Sequence, residues 1–192
     1  MHATVTARVL GMLLILFSTT MLPPIAVSLL YSETFTGIFL SAFLVTLLSG
    51  LMIWLPVRNS THELRTRDGF IVTVLFWLVL SIFGTLPFLF SDALELSFVD
   101  ALFESVSGLT TTGATVLSGL DDLPKSLLYY RQQLQWLGGI GIIVIAVAVL
   151  PMLGVGGMQI YRAEAPGPMK DTKITPRITE TATVIFKIYL TL

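Results

Sequence analysis

Ser97-Phe98-Val99-Asp100-Ala101-Leu102-Phe103-Glu104-Ser105-Val106-Ser107-Gly108-Leu109-Thr110-Thr111-Thr112-Gly113-Ala114-Thr115 decides the fold. Ser97 followed three residues later by Asp100 reads as a helix start, with the serine as N-cap and the carboxylate near the positive end of the helix dipole. A helix of about 13 residues reaches only about 20 Å, short of a hydrocarbon core about 30 Å thick. An apolar helix of this length that enters a bilayer has to turn back. The spacing therefore predicts a re-entrant helix, about Ser97 to Thr110, and a returning strand, Thr110 to Thr115. Gly119 and the turn-forming Asp121-Asp122-Leu123-Pro124 follow.

On either side lie apolar runs long enough to cross. Four charge-free stretches, residues 9–31, 35–57, 70–90 and 132–153, each suit a transmembrane helix, and a fifth begins near Ile178. The first exceeds the h-region of a signal peptide and no A-x-A site follows it, so it is read as a retained span. Basic residues alternate between the connections. Arg8, then Arg58, Arg65 and Arg67, then Arg162, Lys170, Lys173 and Arg177 mark the cytoplasmic side and put the N-terminus there. The opposite connections carry Glu33, Asp92, Glu95, Asp100, Glu104, Asp121 and Asp122, with Lys125 and Arg131 as their basic counterparts. An acidic mouth raises the local concentration of cations.

Composition agrees: 54% of residues are hydrophobic and 12% charged, with a mean hydropathy of +0.86. A net charge of -1 leaves no basic face for nucleic acid. The chain has no cysteine, and its two histidines, His2 and His62, are too far apart to read as a metal pair. No helix carries a serine with a histidine, paired aspartates or a His/Glu metal cluster, so the chain is not read as an enzyme.

Non-helical backbone at membrane depth is tolerated only when buried in protein or lining a watery cavity, because each unsatisfied carbonyl costs several kcal/mol. An alkali cation suits such oxygens, and carbonyls aimed inward can replace the hydration shell of potassium. Gly113 supplies the backbone freedom such a strand needs. The threonines add hydroxyl ligands or bonds to the scaffold, and their β-branching is expected to keep the strand extended. Taken alone, Thr-Thr-Thr-Gly also suits a polar loop with no ion. Its position after a capped short helix, between two spans and under an acidic exterior, favours a pore lining.

The run Phe103 to Thr115, with Gln135-Trp136-Leu137-Gly138-Gly139-Ile140-Gly141, resembles the Trk/Ktr/HKT potassium transporters, and within them the bacterial TrkH-type subunit. The resemblance covers the chain from end to end. It implies an all-α membrane protein in which two N-terminal spans (residues 1–69, with a cytoplasmic loop) precede a helix, pore loop, helix repeat at 70–157. A cytoplasmic linker at 158–177 and the truncated start of a second repeat at 178–192 would follow, as in an N-terminal fragment. It also implies that backbone oxygens of Thr110, Thr111, Thr112 and Gly113 form one quarter of a potassium filter in the bacterial inner membrane. The implied partners are the remaining pore repeats, a TrkA-type nucleotide-binding regulatory subunit and, at full length, a second copy in a homodimer. One wall cannot coordinate an ion, so a chain of this extent should not conduct alone. The alternative is a non-conducting scaffold that binds partners through its cytoplasmic loops.

Smaller features complete the reading. Pro23-Pro24 predicts a kink in the first span, and Gly138-Gly139-Ile140-Gly141 predicts close packing against the short helix, with a hinge as the alternative reading. Glu104, costly at membrane depth, is expected to face the outer vestibule or to bond behind the filter, with Arg131 as a possible partner.

Overall fold

Proline sets the breaks in an otherwise helical chain. The computed structural model describes residues 3–59 and 66–153, with 184, 187–189 and 191 beyond them, and every regular element among these is helical. The first span is α1 (Ala3–Thr19) and α2 (Leu22–Leu30). They are parted at Thr20-Met21, immediately before the Pro23-Pro24 pair that cannot donate to the preceding turn. The hydroxyls of Ser18, Thr19 and Thr20 bond back to carbonyls three residues earlier, so backbone oxygens around the kink keep partners. The second span, α3 (Thr36–Trp54), ends in a 3-10 turn, Leu55–Val57, at Pro56. The third is α4 (Thr66–Gly84) followed by the single turn α5 (Leu86–Leu89), with the break at Thr85, two residues before Pro87. The apolar run at 70–90 predicts one uninterrupted helix, so this break is a departure from expectation.

Among the described residues, three segments are long and apolar enough to cross a membrane: Thr4–Leu30, Thr36–Val57 and Ile71–Leu89. They match the first three predicted spans to within a few residues. The expected fourth span, 132–153, falls in α7 (Lys125–Leu153). The linker at 158–177 and most of 178–192 lie outside the described residues. Two compact units divide the chain, Met1–Gly138 and Gly139–Leu192, and the packing of α1 to α5 against the start of α7 belongs to the first.

Helices α1 and α3 touch backbone to backbone. A Cβ at Gly50 would stand 2.9 Å from the Ile15 nitrogen, and one at Gly11 would stand 2.8 Å from the Trp54 Cβ. Small residues at a helix crossing are how membrane helices gain contact area when lipid removes the hydrophobic drive. Phe17, Met21, Phe39, Leu80, Phe88, Leu127, Tyr130 and Leu134 form the core beside this crossing. Tyr130 meets Phe39 and Phe88 with ring centroids 5.7 and 5.2 Å apart. Large apolar side chains such as Leu30 (81% exposed) and Met52 (76% exposed) face outward, as lipid-facing positions do.

The helix breaks leave carbonyls that need donors, and the core supplies them. The Thr85 amide is shared by Ser81 O at 3.1 Å and Ile82 O at 3.3 Å, and the end of α4 draws its other donors from side chains. Ser81 O accepts from Ser105 Oγ at 2.8 Å and Thr85 Oγ1 at 2.8 Å, and Gly84 O accepts from Tyr130 Oη at 2.9 Å. These bonds fasten α4 to the short helix and to α7, and so fix where the loop between them sits.

Candidate functional site

The short helix is α6 (Phe98–Leu109), capped as its sequence predicts. Ser97 Oγ accepts from the Asp100 amide at 3.2 Å and donates to Asp100 Oδ2 at 2.6 Å. Twelve residues give a helix about 18 Å long. Its polarity is inverted: Ala101, Glu104, Ser105 and Gly108 form the buried stripe, whereas Phe98, Val99, Phe103 and Val106 face outward. A helix that buries small and polar groups and exposes apolar ones belongs in an apolar surround.

At its C-terminus the helix stops in a Schellman motif. The amide of Thr112 bonds to Ser107 O at 3.0 Å and that of Thr111 to Gly108 O at 2.9 Å, with Thr111 in the left-handed region at φ +58°. Glycine normally holds that position, and a β-branched residue there is an outlier. The expectation that β-branching keeps this stretch extended therefore fails at Thr111, because two capping bonds outweigh the local preference. Gly113, at φ +75°, is left-handed as well and explains the glycine directly. Thr110 Oγ1 bonds to Val106 O and to Thr112 Oγ1, both at 2.8 Å. Thr110, Thr111, Thr112 and Gly113 are all exposed, and residues 112–119 have no regular secondary structure.

Behind this exposed stretch lies a buried ion pair. Glu104, 1% exposed, accepts from the Thr115 hydroxyl at 2.6 Å and the Val116 amide at 2.7 Å through Oε1, and from Arg131 Nε at 3.1 Å through Oε2. Arg131, 7% exposed, reaches on with Nη2 to the Gly113 carbonyl at 3.1 Å. Ser107 Oγ donates to the Ala114 carbonyl at 2.6 Å. The four residues from Gly113 to Val116 are thus fastened from the rear while Thr110 to Thr112 stay on the open face. Of the two expectations for Glu104, the bond behind the loop is the one found. Arg131, an exterior charge by its place in the sequence, sits inside α7 on a buried face with Leu127, Tyr130 and Leu134. The three- and four-residue spacing of those positions is the signal that could have placed it.

Close approach of α7 completes the site. A Cβ at Gly138 would overlap the Leu109 carbonyl, so only glycine lets α7 lie against the C-terminal end of α6. Gly108 returns the contact, its Cα facing Leu134. Glu33, between α2 and α3, caps α7: its carboxylate accepts from the Lys125 amide (2.6 Å), the Ser126 amide (3.1 Å) and Ser126 Oγ (2.5 Å). Among the described residues no group of three His, Cys, Asp or Glu side chains could hold a metal ion.

Residues 36–192 match the family described as TrkH, cation transport protein. The Trk system potassium uptake protein TrkH of Escherichia coli (strain K12) is 55% identical over 192 residues, which are 100% of this chain and 40% of that protein. The protein of the same name from Halomonas elongata is 58% identical over 96% of this chain and 38% of its own length. The crystal structure of the potassium transporter TrkH from Vibrio parahaemolyticus superposes with a TM-score of 0.82 at 51% identity, covering 100% of this chain and 38% of that one. The chain therefore spans about two fifths of the length of the relatives it matches. With a family match over most of its residues, relatives more than half identical to it and a solved structure of the same fold, the chain belongs to the TrkH family of cation transport proteins.

Proposed function

We propose that this chain forms one wall of a potassium pathway, with oxygens of Thr110, Thr111, Thr112 and Gly113 as its share of the filter. The observation that carries the reading is the exposed Thr110–Gly113 stretch. It holds two left-handed residues at the end of a helix too short to cross a bilayer, and Gly113 is anchored from behind by Arg131. The negative end of α6 sits at the start of that stretch and favours a cation. Left-handed backbone at 111 and 113 re-aims successive peptide groups, as oxygens presented in steps require.

On this reading residues 70–157 are one outer helix, pore loop, inner helix repeat, and α6 is re-entrant from the outer face of a bacterial inner membrane. The other walls come from further repeats of a full-length subunit, which forms a homodimer and docks a TrkA-type regulatory subunit on its cytoplasmic face. Potassium is cargo. Relatives named for potassium uptake support the choice of ion. One such repeat supplies one wall and does not by itself enclose an ion.

Rubidium uptake tests the proposal in cells lacking their own potassium uptake, using a full-length subunit that carries residues 1–192. Gly113→Leu should abolish uptake or erase the preference for rubidium over sodium, because a side chain at φ +75° distorts the strand. Unchanged flux with unchanged preference removes the filter.

A further inference from the structure

We infer that Arg131, held by Glu104, is a specificity-determining residue that sets how strongly the Gly113 carbonyl binds a cation. The inference rests on the proposed filter and adds to it the group that tunes one of its levels. A carbonyl oxygen has two lone pairs. One of those on Gly113 takes the Arg131 Nη2 proton at 3.1 Å, which leaves the other for an ion and fixes the direction in which it points. A cationic donor on the same oxygen also lowers the field that this oxygen presents.

Field strength and number of carbonyl dipoles are among the sources of preference between potassium and sodium. Weak-field oxygens cannot repay the dehydration of the smaller, more tightly hydrated ion, so they favour the larger one. Arg131 therefore acts against sodium without touching either ion.

The geometry calls for arginine in particular. Nε bonds Glu104 Oε2 while Nη2 bonds Gly113 O, and these two groups are held at a fixed separation by a planar fork. A lysine ammonium is a single point on a flexible stem and does not reproduce both bonds in that geometry. Glu104 in turn neutralises the guanidinium and ties it to Thr115 and Val116, so the clamp holds the loop at both ends of a four-residue span. Both side chains are buried, at 9% and 0% exposure, which keeps water and salt from screening the effect.

The test measures competition between rubidium and sodium for uptake in the full-length subunit carrying residues 1–192, alongside thermal unfolding of the purified protein. Arg131→Lys is paired with the double variant Glu104→Gln/Arg131→Gln, which leaves neither charge buried alone. Gly113→Leu serves as the control for the filter itself. The expected result is a loss of rubidium-over-sodium preference of roughly tenfold in each arginine variant, the scale of one bond to a charged donor. If Arg131→Lys fails to fold, the double variant decides alone. Preference unchanged in a folded variant, with uptake of both ions falling together, overturns the inference and leaves Arg131 a structural brace. If Gly113→Leu also leaves preference unchanged, the filter reading has failed instead.

Discussion

Replacing Glu33 with alanine removes a helix cap that comes from 92 residues away. Helix α7 begins at Lys125 after Pro124, a residue with no side-chain acceptor, so the first two amides of the helix depend on Glu33. Their loss costs about 1–2 kcal/mol on the scale of N-cap removals. Loss of the carboxylate at the positive end of the helix adds about 0.3–1 kcal/mol. Ser126 is fully buried, and its hydroxyl, which donates to the same carboxylate at 2.5 Å, becomes an unpaired polar group worth about 1–3 kcal/mol. Water reaching the exposed Lys125 amide offsets part of this, and the net expectation is about 2–4 kcal/mol of destabilisation. Equilibrium unfolding in mixed micelles gives the magnitude, and a double-mutant cycle with Ser126→Ala isolates the hydroxyl. Glu33→Ala should cost about 1 kcal/mol less when Ser126 is already alanine. An effect of Glu33→Ala below about 0.5 kcal/mol, the range of an ordinary surface substitution, would refute the reasoning.

Two further substitutions test the local geometry. Gly138→Ala should destabilise by roughly 1–3 kcal/mol, because its Cβ overlaps the Leu109 backbone and not a yielding side chain. Gly108→Ala, whose Cβ meets the Leu134 Cβ at 3.0 Å, should cost clearly less in the same unfolding assay. Thr111→Gly relieves the left-handed strain at φ +58° but frees the unfolded chain, for a net gain of roughly 0.5–1 kcal/mol. A lower unfolding midpoint for this variant would show that the threonine side chain itself stabilises the turn.

The features legible in the sequence are those set by neighbours in the chain. The Ser97 cap, the length of α6, the first three spans and the kink at Pro23-Pro24 follow from local spacing and are found where expected. The close packing expected of Gly138 is also found, against Leu109. The features that escape such a reading depend on distance or on competition. No local pattern brings Glu33 to Lys125. The Glu104–Arg131 pair is legible, because a carboxylate at membrane depth needs a partner, whereas nothing local announces that Arg131 also reaches the Gly113 carbonyl. Thr111 follows its capping bonds and not its intrinsic preference. Thr85 and Pro87 end α4 early, and the break is tolerable because Ser105 and Tyr130 bond the carbonyls near the end of that helix.

Anomalous diffraction from crystals of a full-length subunit carrying residues 1–192, grown in a thallium or rubidium salt, tests the central claim most directly. The account predicts heavy-cation peaks within coordination distance of oxygens from Thr110 to Gly113, and their disappearance in Gly113→Leu. Peaks elsewhere along the molecule, with none beside this stretch in the unmodified protein, would contradict it.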